Sequence, residues 1–219
     1  MSDIKAIIFD MDGVIFDSER LILDCWIKVG KKYGIEDVET TCRACIGINR
    51  EATHETFFRR YGENFDYDKY RTEASRMFFD SLENGVLPIK AGVFELLEYV
   101  AENGIPAAIA SSTRTETVTK ELKDAGLYKY FRKIIGGDMV SRSKPAPDIF
   151  LFAAERLGVE PEKCLVIEDS HNGVRAAANA NMHCIMVPDL LPPTDEMRAA
   201  ADEILPTLFD VKEYISKCQ

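Results

Sequence analysis

Residues 5–14 read Lys-Ala-Ile-Ile-Phe-Asp-Met-Asp-Gly-Val. The first five of them form a short apolar run that stops at Asp10. Because this run does not alternate with polar residues and is rich in Ile, it predicts a buried strand of a parallel sheet. The carboxyl ends of such strands face the crevice in which α/β proteins bind ligands, so Asp10 is the first candidate for a functional residue.

Similar apolar runs recur along the chain, and helical patterns separate them. The runs end at Ser111, Gly136, Glu168 and Pro188. The predicted helices cover residues 93–103, 115–125 and 148–157, and each stops at a glycine. Glycine readily takes the left-handed conformation that follows a helix. Strands alternating with helices predict an α/β fold built on a doubly wound, Rossmann-like parallel sheet.

Residues 18–84 break this alternation of strands and helices. Their apolar spacing predicts helices at residues 18–33, 50–61 and about 67–82. The stretch is rich in Phe and Tyr, which is enough for a small core of its own. We therefore expect an inserted all-helical cap domain. The predicted domains are a core at residues 1–16 and 86–219 and a cap at residues 17–85.

The charge balance and length limit the possible partners. The chain has 219 residues and a formal charge of −10, from 27 Lys and Arg against 37 Asp and Glu. Such a balance argues against nucleic acid, which needs clustered basic residues, and against an anionic membrane surface. It is compatible with a phosphate substrate, because a bound cation and a lysine can reverse the sign locally.

The compartment is predicted from the cysteines and the first residues. Six cysteines are scattered along the chain without the pattern of a disulfide framework, which favours a reducing compartment. The first residues lack a signal-peptide pattern, and no stretch approaches about 20 apolar residues, so we expect a cytoplasmic protein. Cys42 and Cys45 form a single C-x-x-C, interpreted as two thiols on one turn of a partly buried helix.

Four carboxylates follow predicted strands and are expected to converge on one crevice. They are Asp10, Asp12, Glu168 and Asp169. Like charges at short range repel, and a divalent cation relieves the repulsion. Ligands that are all oxygen select a hard ion, of which Mg²⁺ is the usual one. One carboxylate of the Asp10–Asp12 pair can attack phosphorus while the other acts as acid and then base.

Two further stretches predict phosphate contacts. Ser111 and Ser112 follow a predicted strand, where hydroxyl and backbone N–H groups at a helix start can bind phosphate or simply cap the helix. Lys144 precedes Pro145, which holds it extended, and Pro147 suits the first turn of the next helix. This stiff loop favours a role for Lys144 in neutralising phosphate.

The four motifs Asp-Met-Asp-Gly-Val, Ala-Ser-Ser-Thr, Ser-Lys-Pro-Ala-Pro-Asp-Ile-Phe and Val-Ile-Glu-Asp-Ser-His-Asn-Gly occur in this order. Together they resemble the haloacid dehalogenase-like hydrolase superfamily across nearly the whole chain. The chain looks most like the subgroup with a helical cap, which contains sugar phosphatases and beta-phosphoglucomutase. The resemblance implies that Asp10 is the nucleophile and a Mg²⁺ ligand, and that Asp12 is the acid and base with its backbone carbonyl on the metal.

The same resemblance implies the remaining site residues. Ser111 and Lys144 would bind the transferring phosphoryl group, and Asp169 would bind Mg²⁺ with assistance from Glu168. The chain departs from the family in one place, since Asn181 stands in a stretch where the family often has glycine. Asn tolerates the left-handed conformation better than most residues, so the departure puts little in doubt.

The cap is expected to decide between two enzyme classes. Arg50 follows a loop similar to the one in beta-phosphoglucomutase whose arginine holds the second phosphate, although a solvated arginine is an equal reading. The mutase histidine and lysine are absent, since the corresponding stretches read Arg20-Leu21-Ile22-Leu23 and Arg76-Met77-Phe78. We therefore predict a phosphatase acting on a small phosphorylated metabolite, with a phosphomutase as the alternative and a phospho-accepting regulatory domain as a third reading. A monomer or weak homodimer is expected.

Overall fold

Six short segments pair into one parallel sheet in the computed structural model, which describes residues 4–82 and 85–218. The strands are β1 (Ala6–Phe9), β2 (Ala107–Ser111), β3 (Lys133–Gly136), β4 (Cys164–Glu168), β5 (His183–Met186) and β6 (Glu203–Ile204). Their order is β3-β2-β1-β4-β5-β6, with β1 between β2 and β4. In this register Ile7 lies opposite both Ala107 and Leu165.

The helices follow the predicted alternation. They are α1 (Glu19–Lys32), α2 (Val38–Ala44), α3 (Arg50–Tyr61), α4 (Tyr67–Asp80), α5 (Val93–Glu102), α6 (Thr115–Asp124), α7 (Asp148–Leu157), α8 (His171–Asn179), α9 (Asp195–Ala200) and α10 (Leu208–Cys218). Gly104, Gly126 and Gly158 all have positive φ just past a helix, as predicted. Asn181 also has a positive φ of 58°, which confirms that asparagine serves in the place of glycine there.

The sheet buries both of its faces, because side chains of β1 alternate between two apolar clusters. Ile7 and Phe9 pack into one cluster with side chains of α5, α6 and α10. Ala6 and Ile8 pack into the other with side chains of α7 and α8. Strands buried on both faces read as continuous apolar runs, which is why the sequence pattern identified them. The predicted doubly wound α/β fold is confirmed.

One strand was missed. β6 contains only Glu203 and Ile204, which pair with the edge of β5. Two residues are too few to show any periodicity, so the sequence could not distinguish this strand from a loop.

Four helices, α1 to α4, lie between β1 and β2 and form the predicted all-helical cap. They enclose a third apolar cluster. Its buried members are Leu23, Val29, Val38, Cys42, Phe57, Tyr67, Tyr70 and Ala74. Trp26 packs edge-on against Phe57, with ring centroids 5.4 Å apart. The exact limits of the two domains stay a prediction, and residues 1–3, 83–84 and 219 of those limits lie outside the described residues.

The two chain connections between cap and sheet run side by side. Phe16 bridges Ile89 in an antiparallel sense. The backbone N–H of Asp17 donates to Pro88 O at 2.8 Å, and that of Lys90 donates to Ile15 O at 3.0 Å. The cap is therefore tethered through one narrow, hydrogen-bonded junction.

Within the described ranges, no helix has the combination of length and apolar character that crossing a bilayer requires.

Candidate active site

The site begins at the carboxyl ends of three neighbouring strands. Asp10 follows β1, Ser111 is the last residue of β2, and Glu168 is the last residue of β4. Because β2, β1 and β4 are adjacent in the sheet, the three side chains meet at one edge although they are far apart in sequence. All three are buried.

Lys144 reaches this edge from the loop between β3 and α7. Its Nζ donates to Asp10 Oδ1 at 2.5 Å, to Glu168 Oε1 at 2.7 Å and to Ala110 O at 3.3 Å. Burial by itself would lower the pKa of Lys144, but the carboxylates of Asp10 and Glu168 outweigh it and raise that pKa. Lys144 is therefore a fixed positive charge beside the predicted nucleophile.

The pKa of the Asp10 carboxyl group is set by two opposing effects, burial and the charge of Lys144. Burial raises the pKa of this carboxyl group to about 8, while the charge of Lys144 acts in the opposite direction. The short contact to Lys144 holds the carboxylate in one orientation at the floor of the site. A buried, oriented carboxylate with a lysine on one oxygen has its other oxygen available for reaction.

Glu168 organises the turn between β4 and α8. Its Oε2 accepts hydrogen bonds from Asp169 N at 2.8 Å, Ser170 N at 2.7 Å and Ser170 Oγ at 3.0 Å. A Cβ added at Gly173 would lie 1.7 Å from Glu168 Oε1, so only glycine fits that position of α8. Both oxygens of Glu168 are engaged by protein donors, and its predicted contact with metal stays a prediction.

Asp12 is held by the hydroxyl groups of Ser18 and Thr113, neither of which was a predicted site residue. Ser18 Oγ donates to Asp12 Oδ1 at 2.8 Å, and Thr113 Oγ1 donates to Asp12 Oδ2 at 3.2 Å. Burial raises the pKa of Asp12, and these hydrogen bonds partly oppose the rise. Ser18 and Thr113 lie within or beside predicted motifs, but only the fold shows that they share one carboxylate.

Asp169 belongs to a group of three carboxylates beside the floor of the site. Its carboxylate and those of Glu19 and Asp189 place one oxygen each within 4.8 Å of one another. Asp10 and Asp12 are not members of this group. Burial raises the pKa values of Glu19 and Asp169 well above their usual range, and repulsion from Asp12 at Glu19 and from Glu19 at Asp169 adds to the rise.

This group provides a test of the predicted metal. The donors are all carboxylate oxygens, and one oxygen of Glu19 and one of Asp189 are buried without a hydrogen-bond partner. Buried polar atoms are nearly always paired, so an unpaired set of this kind fits a hard divalent cation such as Mg²⁺. Neither Glu19 nor Asp189 was predicted as a site residue. Nothing in the sequence around Asp189 marks it as close to Asp169.

A cavity of about 570 Å³ lies between the cap and the sheet. Asp10 and Asp12 line it from the core, and Trp26, Arg50 and Arg71 line it from the cap. Cavities of this size enclose small organic ligands. The predicted nucleophile and acid therefore face a cleft that is lined on its other side by the cap.

The remaining predicted residues also line this cavity, Ser112 from the core and Arg50 from the cap. Ser112 lines it, but its hydroxyl donates to Gly47 O of the cap loop at 3.1 Å. Arg50 also lines it, with Nη2 donating to Asp68 Oδ1 at 3.0 Å and the side chain 44% exposed. The structure thus brings both residues to the cavity, while their predicted phosphate contacts stay predictions.

The C-x-x-C pair packs in the cap. Cys42 and Cys45 are free thiols, and burial raises their pKa values to about 12 and about 11. A raised pKa disfavours the thiolate that metal binding and redox chemistry need. Their surroundings agree with the interpretation as packed thiols.

Comparison with known proteins gives concordant results. The family model for haloacid dehalogenase-like hydrolases matches residues 7–187. A phosphorylated carbohydrates phosphatase from Thermotoga maritima is 36% identical over 186 residues, which cover 83% of this chain and 83% of that protein.

Two solved structures match the whole architecture. Beta-phosphoglucomutase from Clostridium difficile gives a TM-score of 0.81 at 26% identity, covering 98% of this chain and 96% of that one. A CbbY variant from Rhodobacter sphaeroides, solved with xylulose-(1,5)bisphosphate, gives 0.77 at 26% identity and covers 94% and 95%. These matches confirm the resemblance carried by the four sequence motifs. The chain is an enzyme that belongs to the haloacid dehalogenase-like hydrolase family.

Proposed function

We propose that the enzyme is a Mg²⁺-dependent phosphatase that hydrolyses a small phosphorylated metabolite, a sugar phosphate in the first instance, through an aspartyl-phosphate on Asp10. The observation that carries this proposal is the contact between Asp10 and the buried Lys144 at the floor of a cavity that Asp12 also lines. A nucleophile and an acid thereby face one cleft, and a fixed positive charge contacts the nucleophile from behind.

The first step forms a bond between an Asp10 oxygen and phosphorus and breaks the bond between phosphorus and the ester oxygen. Asp12 donates its proton to the departing oxygen. Lys144 and Ser111 hold the phosphoryl oxygens in position. In the second step Asp12 takes a proton from water, which attacks phosphorus and releases inorganic phosphate and free Asp10.

The metal would be held by Asp10, by the backbone carbonyl of Asp12 and by Asp169. A bound Mg²⁺ supplies positive charge that offsets the charge on the phosphoryl oxygens. The all-oxygen donors near Asp169 support a hard cation rather than a soft one.

The substrate class is supported by the relatives. The Thermotoga maritima relative is a phosphatase of phosphorylated carbohydrates, and the CbbY variant binds a sugar bisphosphate. The size of the cavity suits a molecule of this kind. Cysteines present as free thiols support a reducing compartment, the cytoplasm, for this enzyme. These are Cys25, Cys42, Cys45, Cys164 and Cys184.

A phosphomutase is the second candidate, because Arg50 lines the cavity as an arginine for a second phosphate would. The phosphatase is preferred, since Ile22 lines the cavity in the stretch where the mutase has its histidine. An apolar side chain there cannot exchange protons with a sugar hydroxyl.

The test is a phosphate-release screen over sugar and nucleoside monophosphates with Mg²⁺, with Asp10→Asn as the inactive control. We expect at least one sugar phosphate to be hydrolysed by the wild type and not by the variant. Incubation with alpha- or beta-glucose 1-phosphate and a bisphosphate primer identifies the alternative. Formation of glucose 6-phosphate without free phosphate would show a mutase. If the wild type did not hydrolyse even a generic aryl phosphate in the presence of Mg²⁺, a regulatory domain would be favoured.

A further inference from the structure

Three carboxylates from different parts of the chain meet where the cap joins the core. Glu19 is the first residue of α1, the first cap helix, while Asp169 follows β4 and Asp189 follows β5. Their ligand oxygens all lie within 4.8 Å of one another. Opposite ligands of an octahedral Mg²⁺ lie about 4.2 Å apart, since each Mg–O bond is about 2.1 Å. The three carboxylates can thus reach one ion with small movements.

Two of the three side chains carry buried oxygens without a hydrogen-bond partner, which a purely structural cluster would not leave. These oxygens are Glu19 Oε2 and Asp189 Oδ2. The third side chain, Asp169, is 2% exposed. Buried carboxylate oxygens without donors are strongly disfavoured, so a ligand is expected among them.

The protein supplies too little positive charge of its own at this place. Lys90 Nζ lies 3.0 Å from Asp189 Oδ1, and the Asp189 side chain is only 10% exposed. This is the one ion pair that reaches the group in the part of the chain that the structure describes. One ammonium against three carboxylates leaves a net negative charge, which a divalent cation would neutralise.

We propose that Glu19 and Asp189 bind, together with Asp169, the divalent cation of the enzyme, so that the ion joins the first cap helix to the core. This rests on the metal of the proposed function and assigns to it two residues that the predicted ligand set does not contain. Because Glu19 is the first residue of α1, occupancy of the ion holds the start of the first cap helix against the core.

The first test measures ion binding without any substrate. Mn²⁺ is titrated into the full-length wild type, Glu19→Gln and Asp189→Asn, and free Mn²⁺ is followed by electron paramagnetic resonance. The control is Asp24→Asn, which removes an equal charge from an exposed position of α1. We expect each site variant to bind Mn²⁺ about 10 to 100-fold more weakly than wild type and the control to match it. Wild-type affinity in both site variants would overturn the proposal.

The second test measures whether ion binding stabilises the start of the first cap helix, α1, through Glu19. Saturating Mg²⁺ is expected to slow amide hydrogen exchange over the first turns of α1 in wild type and Asp24→Asn, but not in Glu19→Gln. Equal slowing in Glu19→Gln would contradict the link. Thermal unfolding in EDTA checks for a structural effect, because removal of one of three repelling carboxylates should leave the midpoint unchanged or raise it. A lower midpoint in EDTA would instead assign Glu19 a structural role and overturn the proposal.

Both tests are independent of the proposed reaction. Ion binding is measured without substrate, so a failure to find phosphatase activity leaves these outcomes interpretable. Phosphate release combined with unaltered Mn²⁺ affinity in Glu19→Gln and Asp189→Asn would overturn this inference alone and leave the proposed function standing.

Discussion

Lys144 Nζ lies 2.5 Å from Asp10 Oδ1, although 134 positions separate the two residues in the sequence. The side chains are 1% and 9% exposed. A lysine buried to this degree persists only because two carboxylates, Asp10 and Glu168, neutralise it. The same contact fixes the orientation of the proposed nucleophile, so the stability and the chemistry of the site depend on one ion pair.

Replacement of Lys144 by Met should destabilise the metal-free protein. The substitution leaves Asp10 and Glu168 buried without their positive partner, and loss of one member of a buried pair costs about 3–5 kcal/mol. The free energy of unfolding is measured in urea with EDTA. Lys120→Met serves as control, because Lys120 is in an exposed lysine–aspartate pair and should have little effect. A small loss for Lys144→Met, similar to that of the control, would contradict the prediction.

Asp10→Asn should abolish phosphate release while leaving the fold intact. The amide is nearly the same shape as the carboxylate but cannot form the phosphoryl ester, so we expect kcat/KM to fall by at least about 10³-fold. Activity on the best substrate of the screen and the circular dichroism spectrum are measured together. Residual turnover near the wild-type rate in a correctly folded variant would exclude Asp10 as the nucleophile.

Ser18→Ala should change the pH dependence of the reaction. The Ser18 hydroxyl donates to Asp12, which favours the ionised carboxylate and so lowers the pKa of Asp12. Removing the hydroxyl should raise that pKa, and the alkaline limb of the kcat/KM profile, where the proton donor is lost, should move to higher pH. Ser81→Ala, which changes a cap serine bonded to Phe78 O, is the control. Superimposable profiles for Ser18→Ala and wild type would contradict this role.

Glu121→Gln should flatten the dependence of stability on pH. Burial raises the pKa of Glu121 to about 8, so the folded protein keeps a proton that the unfolded chain loses above its usual pKa. Stability due to this group is therefore present at low pH and lost as pH rises towards 8. We expect the difference in unfolding free energy between pH 5 and pH 8 to shrink by about 1–2 kcal/mol, with partial exposure allowed for.

The control for this change is Glu116→Gln, at an exposed position of the same helix. Urea unfolding of the three proteins is compared at both pH values. Parallel curves for wild type and Glu121→Gln would show that the carboxyl group of Glu121 is ionised in the folded state.

Arg50→Ala should weaken binding of substrates that carry a second anionic group. Arg50 lines the cavity from the cap, opposite the proposed catalytic floor. We expect KM for a sugar bisphosphate to rise by about tenfold or more and to rise less for a monophosphate, because only the former offers a second charge to the guanidinium. Arg59→Ala on the exposed face of the same helix is the control. Equal changes in KM for both substrates would argue against a second phosphate site.

The sequence by itself determined five of the six strands described, most of the helices and the cap insertion. A parallel strand that is buried on both faces has a continuous run of apolar residues. The runs that end at Asp10, Ser111 and Glu168 could therefore be recognised as strands, because helices cover both faces of the sheet. Glycines with positive φ marked the ends of α5, α6 and α7. The motifs that follow the strands also identified the family. The site residues stand directly after strands, so each motif lies at a recognisable position in the sequence.

The tertiary structure alone decided which of these residues touch. Periodicity reports which side of an element is buried, but it carries no information on contacts between residues far apart in sequence. Ser18, at the start of the cap, donates a hydrogen bond to Asp12 of the core. Asp189, beyond the end of β5, places a carboxylate oxygen near those of Glu19 and Asp169. The order of the strands, β2-β1-β4, and the return of the cap onto the sheet edge create these contacts, because only the folded chain brings distant carboxylates and their partners within a few ångströms.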